Sequence, residues 1–220
     1  MITRKLNLPE TASVAHKDPS GRLHAPSAAR NADAILGVMK TLAPTSGRAL
    51  EIASGTGQHV VQLAQNFANI TWQPSDVDDA RLRSIENWIS HTGVTNVASP
   101  IALDATRDGW HEHHQGVDLI ILVNLLHLIT APQANTLIAN AARALAPGGV
   151  FVVYGPFLRG EDFASPGDAK FHASLVAQNP DIGYKSDQSV RAMLETGGLN
   201  VRPEIDMPAN NLVFAAHNLP

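Results

Sequence analysis

The segment Glu51-Ile52-Ala53-Ser54-Gly55-Thr56-Gly57 has the residue types of a ligand-binding loop between a strand and a helix. Gly55 and Gly57 permit backbone dihedral angles that other residues avoid, and they let the chain approach a ligand closely. A helix predicted to begin near Gln58 would add unsatisfied backbone N–H donors. Because ligands of open α/β sheets bind beyond the carboxyl ends of the strands, this turn is the first candidate for a binding site.

Two more carboxylates follow the next predicted strands. Asp76 ends the segment Trp72-Gln73-Pro74-Ser75-Asp76, where a carboxylate can accept hydrogen bonds from both hydroxyls of a ribose. Asp104 follows the third predicted strand, although a turn-forming aspartate would also suit this position. Together with Glu51, acidic residues thus occur at three successive strand ends, and this pattern indicates a nucleoside site.

Glycine spacing separates the two cofactor classes that use such a loop. A dinucleotide site requires G-x-G-x-x-G, but the sixth position counted from Gly55 is Val60. The pattern E-x-G-x-G-x-G resembles motif I of S-adenosylmethionine-dependent methyltransferases. Residues 51–57 fit this pattern with Ala53 in place of the first glycine. A purely structural turn, which would also use glycine, is the alternative.

These residues lie in a regular alternation of strand-like and helix-like segments. Strands are predicted at 48–53, 70–73, 97–103, 117–123 and 150–154, and helices at 27–42, 58–67, 78–91 and 131–145. Segments 199–207 and 212–216 add an antiparallel pair of strands after the helical segments 168–177 and 186–196. The fold class predicted is therefore α/β, with a Rossmann-like, doubly wound, mostly parallel sheet of seven strands. Ser27 and Asp78 are expected as helix N-caps, with Asp79 as a first-turn charge.

Composition narrows the class of protein. The 220 residues include 44% hydrophobic and 16% charged side chains, which predicts a globular domain over 27–220 after a flexible arm over 1–26. The formal net charge of −4 argues against a nucleic-acid partner. The chain has no cysteine, which excludes disulfides, thiolate metal ligands and cysteine nucleophiles. No apolar run suits a signal peptide or a membrane span, so a cytoplasmic protein without a membrane partner is expected.

The fourth predicted strand ends in Asn124-Leu125-Leu126-His127. Asn124 is a candidate for binding the cofactor or for shaping an acceptor pocket. His127 is a candidate general base because the ordinary pKa of histidine, about 6.5, suits proton removal near neutrality. The alternative is a structural role, in which His127 is buried in the core with its ring nitrogens hydrogen-bonded. The run His111-Glu112-His113-His114 lacks H-E-x-x-H spacing, and no metal site is expected.

Several longer motifs show a resemblance to a known family. They are Arg30-Asn31, LEIASGTGQH at 50–59, WQPSD at 72–76, YGPF at 154–157 and MPANN at 207–211. The chain resembles, from about Ala29 onward, the methyltransferase-like proteins of domain-of-unknown-function family 938, of the methyltransferase-like protein 26 type. Alanine is usual in this family at the position of Ala53. The resemblance implies a class I S-adenosylmethionine-binding fold and no particular substrate.

The resemblance also implies roles for individual residues. Those that would line the cofactor are Glu51, Gly55, Gly57, Asp76 and Asp104. Ala53 and Asn124 are expected to contact the cofactor as well, from their places in the glycine loop and at the end of the fourth strand. Arg30 and Asn31 would hold the carboxylate of the cofactor or, alternatively, form a helix-capping pair. Residues on the acceptor side would be Tyr154, Phe157, His172, Asn210 and Asn211, with Phe163 and Phe171 in the same lid region. Tyr154 joins His127 as a candidate for catalysis, whereas the two asparagines also suit a simple turn.

These inferences predict an enzyme that transfers a methyl group from S-adenosylmethionine to a small-molecule acceptor. Alignment of the reactants can supply up to about 7–11 kcal/mol of the acceleration, so a general base is optional. The alternative from another class is a non-catalytic module that binds the cofactor or its demethylated product, and protein methylation stays open. A nucleotide-dependent oxidoreductase is disfavoured by the missing third glycine. The oligomeric state is open, with a homodimer as one option.

Overall fold

The computed structural model describes residues 14–219, which form alternating strands and helices. They belong to two compact units, the first ending at Asp104 and the second beginning at Ala105. The predicted boundaries, a flexible arm over 1–26 and one domain over 27–220, stay predictions. The first thirteen residues of that arm, and residue 220, lie outside the described residues.

The first unit contains a parallel arrangement of strands with intervening helices. In chain order its elements are β1 (His16–Lys17), β2 (Leu23–His24), α1 (Pro26–Leu42), β3 (Gly47–Ile52), α2 (Gln58–Asn66), β4 (Ile70–Asp76), α3 (Asp79–Thr92) and β5 (Ile101–Ala102). β4 lies between β3 and β5 and is parallel to both. Leu50, Trp72 and Ile85 are among its fully buried side chains. Burial of these apolar groups positions the polar strand ends.

The register of the three parallel strands brings their carboxyl ends to one edge. Glu51 of β3 is opposite Pro74 of β4, two residues before Asp76. Asp76 is in turn opposite Ala102 of β5, so Asp104 follows two residues after that pair. The three predicted carboxylates therefore come from neighbouring strand ends, at the edge where open α/β sheets bind ligands.

The third predicted strand is shorter than expected. Of the predicted residues 97–103, only Ile101–Ala102 form a strand, and Val97 makes a single bridge to Trp72. Pro100 has no N–H to donate to a neighbouring strand, which explains the interruption.

Two of the predicted N-caps have different outcomes. The carboxylate of Asp78 accepts hydrogen bonds from the N–H groups of Ala80 and Arg81, so it caps α3 as predicted. The expectation that Ser27 caps α1 is wrong, because the helix begins one residue earlier at Pro26. Proline suits the first helical position since its missing N–H would have no partner there.

Part of the predicted arm has regular structure. β1 and β2 form an antiparallel pair, and Asp18 in their turn accepts hydrogen bonds from Ser20 and Arg22. The Arg22 guanidinium lies 4.8 Å from the ring centroid of Trp88 on α3. The Trp88 indole N–H donates to the carbonyl oxygen of Leu23 at 3.0 Å. These contacts attach residues 16–24 to α3.

The second unit adds further parallel pairing and the antiparallel C-terminal strands. In chain order its elements are a 3-10 helix (Trp110–His113), β6 (Val117–Val123), a second 3-10 helix (Leu126–Leu128), α4 (Ala131–Ala144), β7 (Leu145–Pro156), α5 (Pro166–Gln178), α6 (Asp187–Thr196), β8 (Asn200–Val201), β9 (Ile205–Met207) and β10 (Asn211–His217). β6 is parallel to β7, whereas β10 is antiparallel to β7, β8 and β9. The predicted strand 199–207 is divided into β8 and β9 around Pro203, another residue without an N–H. None of the helices in the described part of the chain is long and apolar enough to cross a membrane.

Candidate functional site

The loop between β3 and α2 has an unusual backbone. Ala53, Gly55 and Gly57 have φ angles of 55°, 59° and 92°, all in the left-handed region. At Gly57 a Cβ atom would lie 2.9 Å from the Cα of Ile85, so close packing against α3 also excludes a side chain. Ala53 is the exception, because alanine in this region costs about 1–2 kcal/mol relative to the right-handed conformation. The chain thus retains a strained bend at the position of the first glycine of the motif.

Glu51 is the buried acid at the start of this loop. Its side chain is in a residue only 1% exposed, and its Oε2 atom has no hydrogen-bond partner within the described structure. Burial raises the pKa of this carboxyl from 4.5 to about 8; a hydrogen bond with Ser54 opposes the rise and the charge of Asp76 adds to it. A buried polar atom without a partner is costly, which makes this position a candidate for contact with a ligand.

Asp76 connects the end of β4 to the loop. One carboxylate oxygen accepts from the N–H of Gly55 at 2.9 Å and the other accepts from the N–H of Asp78 at 3.0 Å. Burial raises the pKa of Asp76, although these backbone donors partly oppose the rise. An ionised carboxylate has about four acceptor sites, so both oxygens can still accept from a ligand hydroxyl. Asp104, half-buried just beyond β5, completes the edge that the sequence predicts.

Arg30 and Asn31 lie inside α1 rather than at its end. The alternative of a helix-capping pair is therefore wrong, since the helix begins at Pro26. Asn31 Oδ1 lies 2.8 Å from Nε2 of His59 in the first turn of α2. Burial lowers the pKa of His59 to about 4, so this contact joins two neutral side chains. Arg30 is exposed, and its predicted contact with a cofactor carboxylate stays a prediction.

A hydrogen-bonded relay that the sequence did not predict supports the loop. Ser84, fully buried in α3, accepts from the N–H of Leu23 at 2.8 Å and donates to the carbonyl oxygen of Thr56 at 2.7 Å. Gln58 Oε1 accepts from the N–H of Ala25 and from the Thr56 hydroxyl. In the sequence, Ser84 is only a small polar residue on the apolar side of a predicted helix. Such a residue does not indicate which groups it will bond.

The second unit holds the predicted acceptor-side residues near the end of β7. The backbone N–H of Asn124 donates to the carbonyl oxygen of Tyr154 at 2.9 Å, and Asn124 has a φ of 56°. The ring of Phe157 meets that of Phe214 edge to face at 5.1 Å. Tyr154 and Phe157 are only 3% and 2% exposed. They therefore form part of the core, and any acceptor contact they make would come from a small part of their surface.

His127 belongs to a group of rings that we call the aromatic cluster. Its members are His127, Phe163, Phe171, His172 and Tyr184. Their ring centroids lie 5.0–6.2 Å apart in the contacting pairs, mostly edge to face. Phe171 and His172 come from α5, so the structure brings three of the predicted lid residues to the candidate base. Tyr184 was not predicted, since it lies in an irregular segment between two helices.

Electrostatics bear on the role of His127. Burial and then the nearby charge of Lys185 lower the pKa of His127 to about 3. The imidazole is therefore neutral at pH 7 and can accept a hydrogen bond, but the driving force for taking a proton is small. Its assignment as general base stays a prediction, as does a catalytic role for Tyr154.

The two C-terminal asparagines form a tight turn between β9 and β10. Ala209 and Asn210 have φ angles of 56° and 60°, as expected of the two central residues of a hairpin turn. The Asn211 amide donates to the carbonyl oxygens of Pro208 and Ala209. Asn210 is exposed and donates to Asp168 at 3.0 Å. Both side chains thus have structural partners, and their predicted contact with an acceptor stays a prediction.

The histidine-rich run at 111–114 has a structural explanation. His111 Nδ1 lies 2.6 Å from Asn140 Oδ1, and the Asn140 amide donates to Asp108 at 3.0 Å. Within residues 14–219, no group of three or more His, Cys, Asp or Glu side chains could hold a metal ion. The contact with Asn140 attaches this short 3-10 helix to α4.

Several solved structures of similar fold are those of methyltransferases. An O-methyltransferase family protein from Burkholderia thailandensis has a TM-score of 0.75 at 15% identity, over 88% of this chain and 57% of that one. Human N-acetylserotonin methyltransferase, solved in complex with SAM, has a TM-score of 0.72 at 13% identity, over 88% and 53%. An O-methyltransferase family 2 protein from Planctomyces limnophilus, solved with apigenin, has a TM-score of 0.68 at 20% identity, over 92% and 62%. This chain thus spans little more than half the length of these proteins.

These comparisons confirm the predicted fold class, a mixed α/β Rossmann-like fold with mostly parallel strands and antiparallel C-terminal strands. A more specific match comes from sequence. The profile of the family DUF938, described as "Protein of unknown function", matches residues 22–217. Because this match covers nearly the whole chain, the protein belongs to the DUF938 family.

Proposed function

We propose that this protein is an S-adenosylmethionine-dependent methyltransferase that acts on a small molecule. The observation that carries the proposal is the buried carboxyl of Glu51, whose Oε2 atom has no hydrogen-bond partner within the described structure and which lies beside the left-handed glycine loop and near the charge of Asp76. A purely structural turn has no need of a buried acid in this position. We include in this proposal that the protein is of the methyltransferase-like protein 26 type and that it is cytoplasmic.

The chemistry of the described residues fits this cofactor. S-adenosylmethionine carries an ammonium group, which would give the Glu51 carboxylate the cationic partner that it lacks. Its ribose hydroxyls can donate to Asp76, whose oxygens keep acceptor sites beyond their two backbone bonds. The exposed guanidinium of Arg30 suits the carboxylate of the cofactor. When bound, the cofactor supplies an electrophilic methyl group on a sulfonium.

The proposed mechanism assigns to the protein mainly binding, orientation and exclusion of water. Glu51, Asp76 and Arg30 would hold the cofactor, and the residues predicted on the acceptor side would bind the acceptor. Alignment of the reacting groups can contribute much of the acceleration without a base. The neutral imidazole of His127 would then orient an acceptor hydroxyl by accepting its hydrogen bond, rather than removing its proton.

The small-molecule assignment draws on two further observations. The proteins of similar fold include one that acts on N-acetylserotonin by name and one solved with apigenin, although at identities of 13% and 20%. Two of the predicted acceptor-side residues, Tyr154 and Phe157, are buried rather than part of an exposed face. Both observations favour a small acceptor over a protein.

Titration calorimetry with S-adenosylhomocysteine tests cofactor binding. We expect Asp76→Asn to weaken binding about tenfold or more, because it removes a charged acceptor of ribose hydrogen bonds. Glu86→Gln, an exposed acid on α3, is the matched control and should leave the affinity unchanged. Unchanged affinity in a folded Asp76→Asn protein would remove the ribose assignment, and no binding to wild type would refute the proposal.

Turnover with labelled S-adenosylmethionine and a panel of small aromatic and aliphatic acceptors tests catalysis separately. Transfer of label to a small molecule supports the enzyme. Binding without transfer to any small molecule or protein would instead identify a non-catalytic module that senses the cofactor or its product.

A further inference from the structure

Lys185 occupies the segment between α5 and α6, next to the aromatic cluster. Its Nζ atom donates to the backbone carbonyl oxygens of Ile129 and Gly183, at 2.5 and 3.2 Å. The N–H of Gly183 donates to the carbonyl oxygen of His127 at 3.0 Å. These bonds attach the segment to the short helix of His127 and hold the ammonium in one place.

The positive charge of Lys185 has no counter-ion in the described part of the chain. Its hydrogen-bond partners are two neutral carbonyl groups, and no carboxylate forms an ion pair with it among residues 14–219. The imidazoles of His127 and His172 face it, and burial together with its charge lowers the pKa of both. A partly buried ammonium among neutral groups is unfavourable unless an anion accompanies it.

The nearby acid, Asp168, has other partners. It accepts hydrogen bonds from Ser165, from the Tyr184 hydroxyl and from the Asn210 amide. Burial and the charge of Asp168 raise the pKa of Tyr184, so this phenol stays neutral. The two imidazoles near Lys185 and the Tyr184 phenol are therefore neutral at pH 7, whereas the Asp168 carboxylate is hydrogen-bonded to other residues.

One side of the aromatic cluster is open to solvent. Phe163 is 38% exposed, which is unusual for a large apolar side chain in this structure, and Phe171 and His172 are half-buried. Exposed aromatic surface beside an uncompensated ammonium has the two features that bind an aromatic anion: apolar contact and charge complementarity.

We propose that Lys185 determines acceptor specificity and binds the carboxylate of an aromatic acceptor whose ring lies against the aromatic cluster. An ammonium has three N–H donors, and two are used by the carbonyl groups of Ile129 and Gly183. The third donates to the acceptor carboxylate. This inference rests on the proposed methyltransferase function, because only a methyltransferase has a methyl acceptor. Binding of the aromatic anion can nevertheless be measured without turnover.

Benzoate and its neutral analogue benzamide are suitable probes. They would be titrated by proton NMR against the full chain saturated with S-adenosylhomocysteine, with acetate as the non-aromatic anion. We expect benzoate to bind more tightly than benzamide or acetate. Lys185→Met should weaken benzoate about tenfold or more, the loss typical of a charged hydrogen bond, whereas the exposed lysine variant Lys170→Met should not.

A pH series separates recognition by charge from a structural role. Because burial lowers the pKa of Lys185 to about 8, the ammonium loses its proton between pH 7 and pH 10. Benzoate affinity of the wild type should then fall about tenfold or more over this interval. Lys185→Arg stays charged at pH 10 and should keep its affinity, an effect that a merely structural lysine would not produce.

Equal binding of benzoate and benzamide, equal binding of benzoate and acetate, or full affinity in Lys185→Met would overturn the inference. Near-UV circular dichroism checks that each variant is folded, and Lys185→Gln replaces Lys185→Met if the latter is not. Failure of S-adenosylhomocysteine to bind would count against the proposed function, whereas its binding without benzoate would count against Lys185 alone.

Discussion

Replacement of Glu51 by glutamine should increase the stability of the ligand-free protein at high pH. The native state keeps the proton of Glu51 up to a pKa of about 8, whereas the unfolded chain loses it near 4.5. Unfolding thus releases a proton between these values, and the free energy of unfolding falls as the pH rises from 4.5 to 8. Glu51→Gln keeps the shape of the side chain and removes this dependence.

The size of the effect follows from the shift in pKa. Each unit corresponds to about 1.4 kcal/mol, so the rise at Glu51 amounts to an upper limit of about 5 kcal/mol above pH 8. Because water can partly solvate the ionised carboxyl, we expect a gain of about 2–4 kcal/mol at pH 9. Net stabilities of domains are about 5–15 kcal/mol, so a change of this size is easily measured.

Urea denaturation of the ligand-free wild type, Glu51→Gln and the exposed control Glu86→Gln would be compared at pH 5 and pH 9. The difference between Glu51→Gln and wild type should be small at pH 5 and large at pH 9, and the control should show neither. The same variant should bind S-adenosylhomocysteine about tenfold or more weakly, since it loses the carboxylate. If the difference in stability between Glu51→Gln and wild type is the same at pH 5 and pH 9, the reasoning is refuted. The pKa of Glu51 would then not be raised in the folded protein.

Two further predictions concern the support of the loop. Gly57→Ala should destabilise the protein by about 3 kcal/mol or more in urea denaturation, because its Cβ would lie 2.9 Å from the Ile85 backbone at a φ of 92°. Gly93→Ala, at a φ of 68° but in open space, should cost only about 1–2 kcal/mol, and equal costs would contradict the packing argument. Ser84→Ala should cost about 2–4 kcal/mol and weaken S-adenosylhomocysteine binding, since it removes a partner from the buried carbonyl of Thr56 and from the partly buried N–H of Leu23. The exposed Ser90→Ala should change stability by less than about 0.5 kcal/mol, and calorimetric affinity equal to wild type in Ser84→Ala would limit the relay to a structural role.

The sequence predicted the placement of the three carboxylates at strand ends better than the surroundings of the residues expected on the acceptor side, for a physical reason. Glu51 and Asp76 lie at the carboxyl ends of β3 and β4, and Asp104 lies just beyond β5. Apolar residues predict these strands, and parallel strands place their carboxyl ends together. Local chemistry likewise suffices for the N-cap at Asp78, because a cap bonds to residues two and three positions ahead. The surroundings of these four acidic residues therefore follow from their places at strand ends and at a helix start.

Contacts between distant segments could not be predicted in this way. Lys185 is attached to Ile129, 56 residues earlier in the chain, and Ser84 to Leu23, 61 residues earlier. Neither residue has a periodic pattern or a motif that would indicate a partner. The predicted cap at Ser27 failed for a local reason, because Pro26 begins the helix first. Pro100 shortens one predicted strand and Pro203 divides another. Both prolines are visible in the sequence, but the apolar residues around them predicted longer strands.

The loop between β3 and α2 concentrates two separate costs at one place. Ala53 has a φ of 55°, where glycine would avoid a penalty of about 1–2 kcal/mol. Two residues earlier, Glu51 is buried with one carboxyl oxygen unpartnered, where glutamine would avoid the loss of stability that the raised pKa causes above pH 4.5. A turn that served only to connect a strand to a helix would gain stability from either single replacement. Strain and an uncompensated acid that persist together are typical of a binding site, where the ligand provides the missing partner.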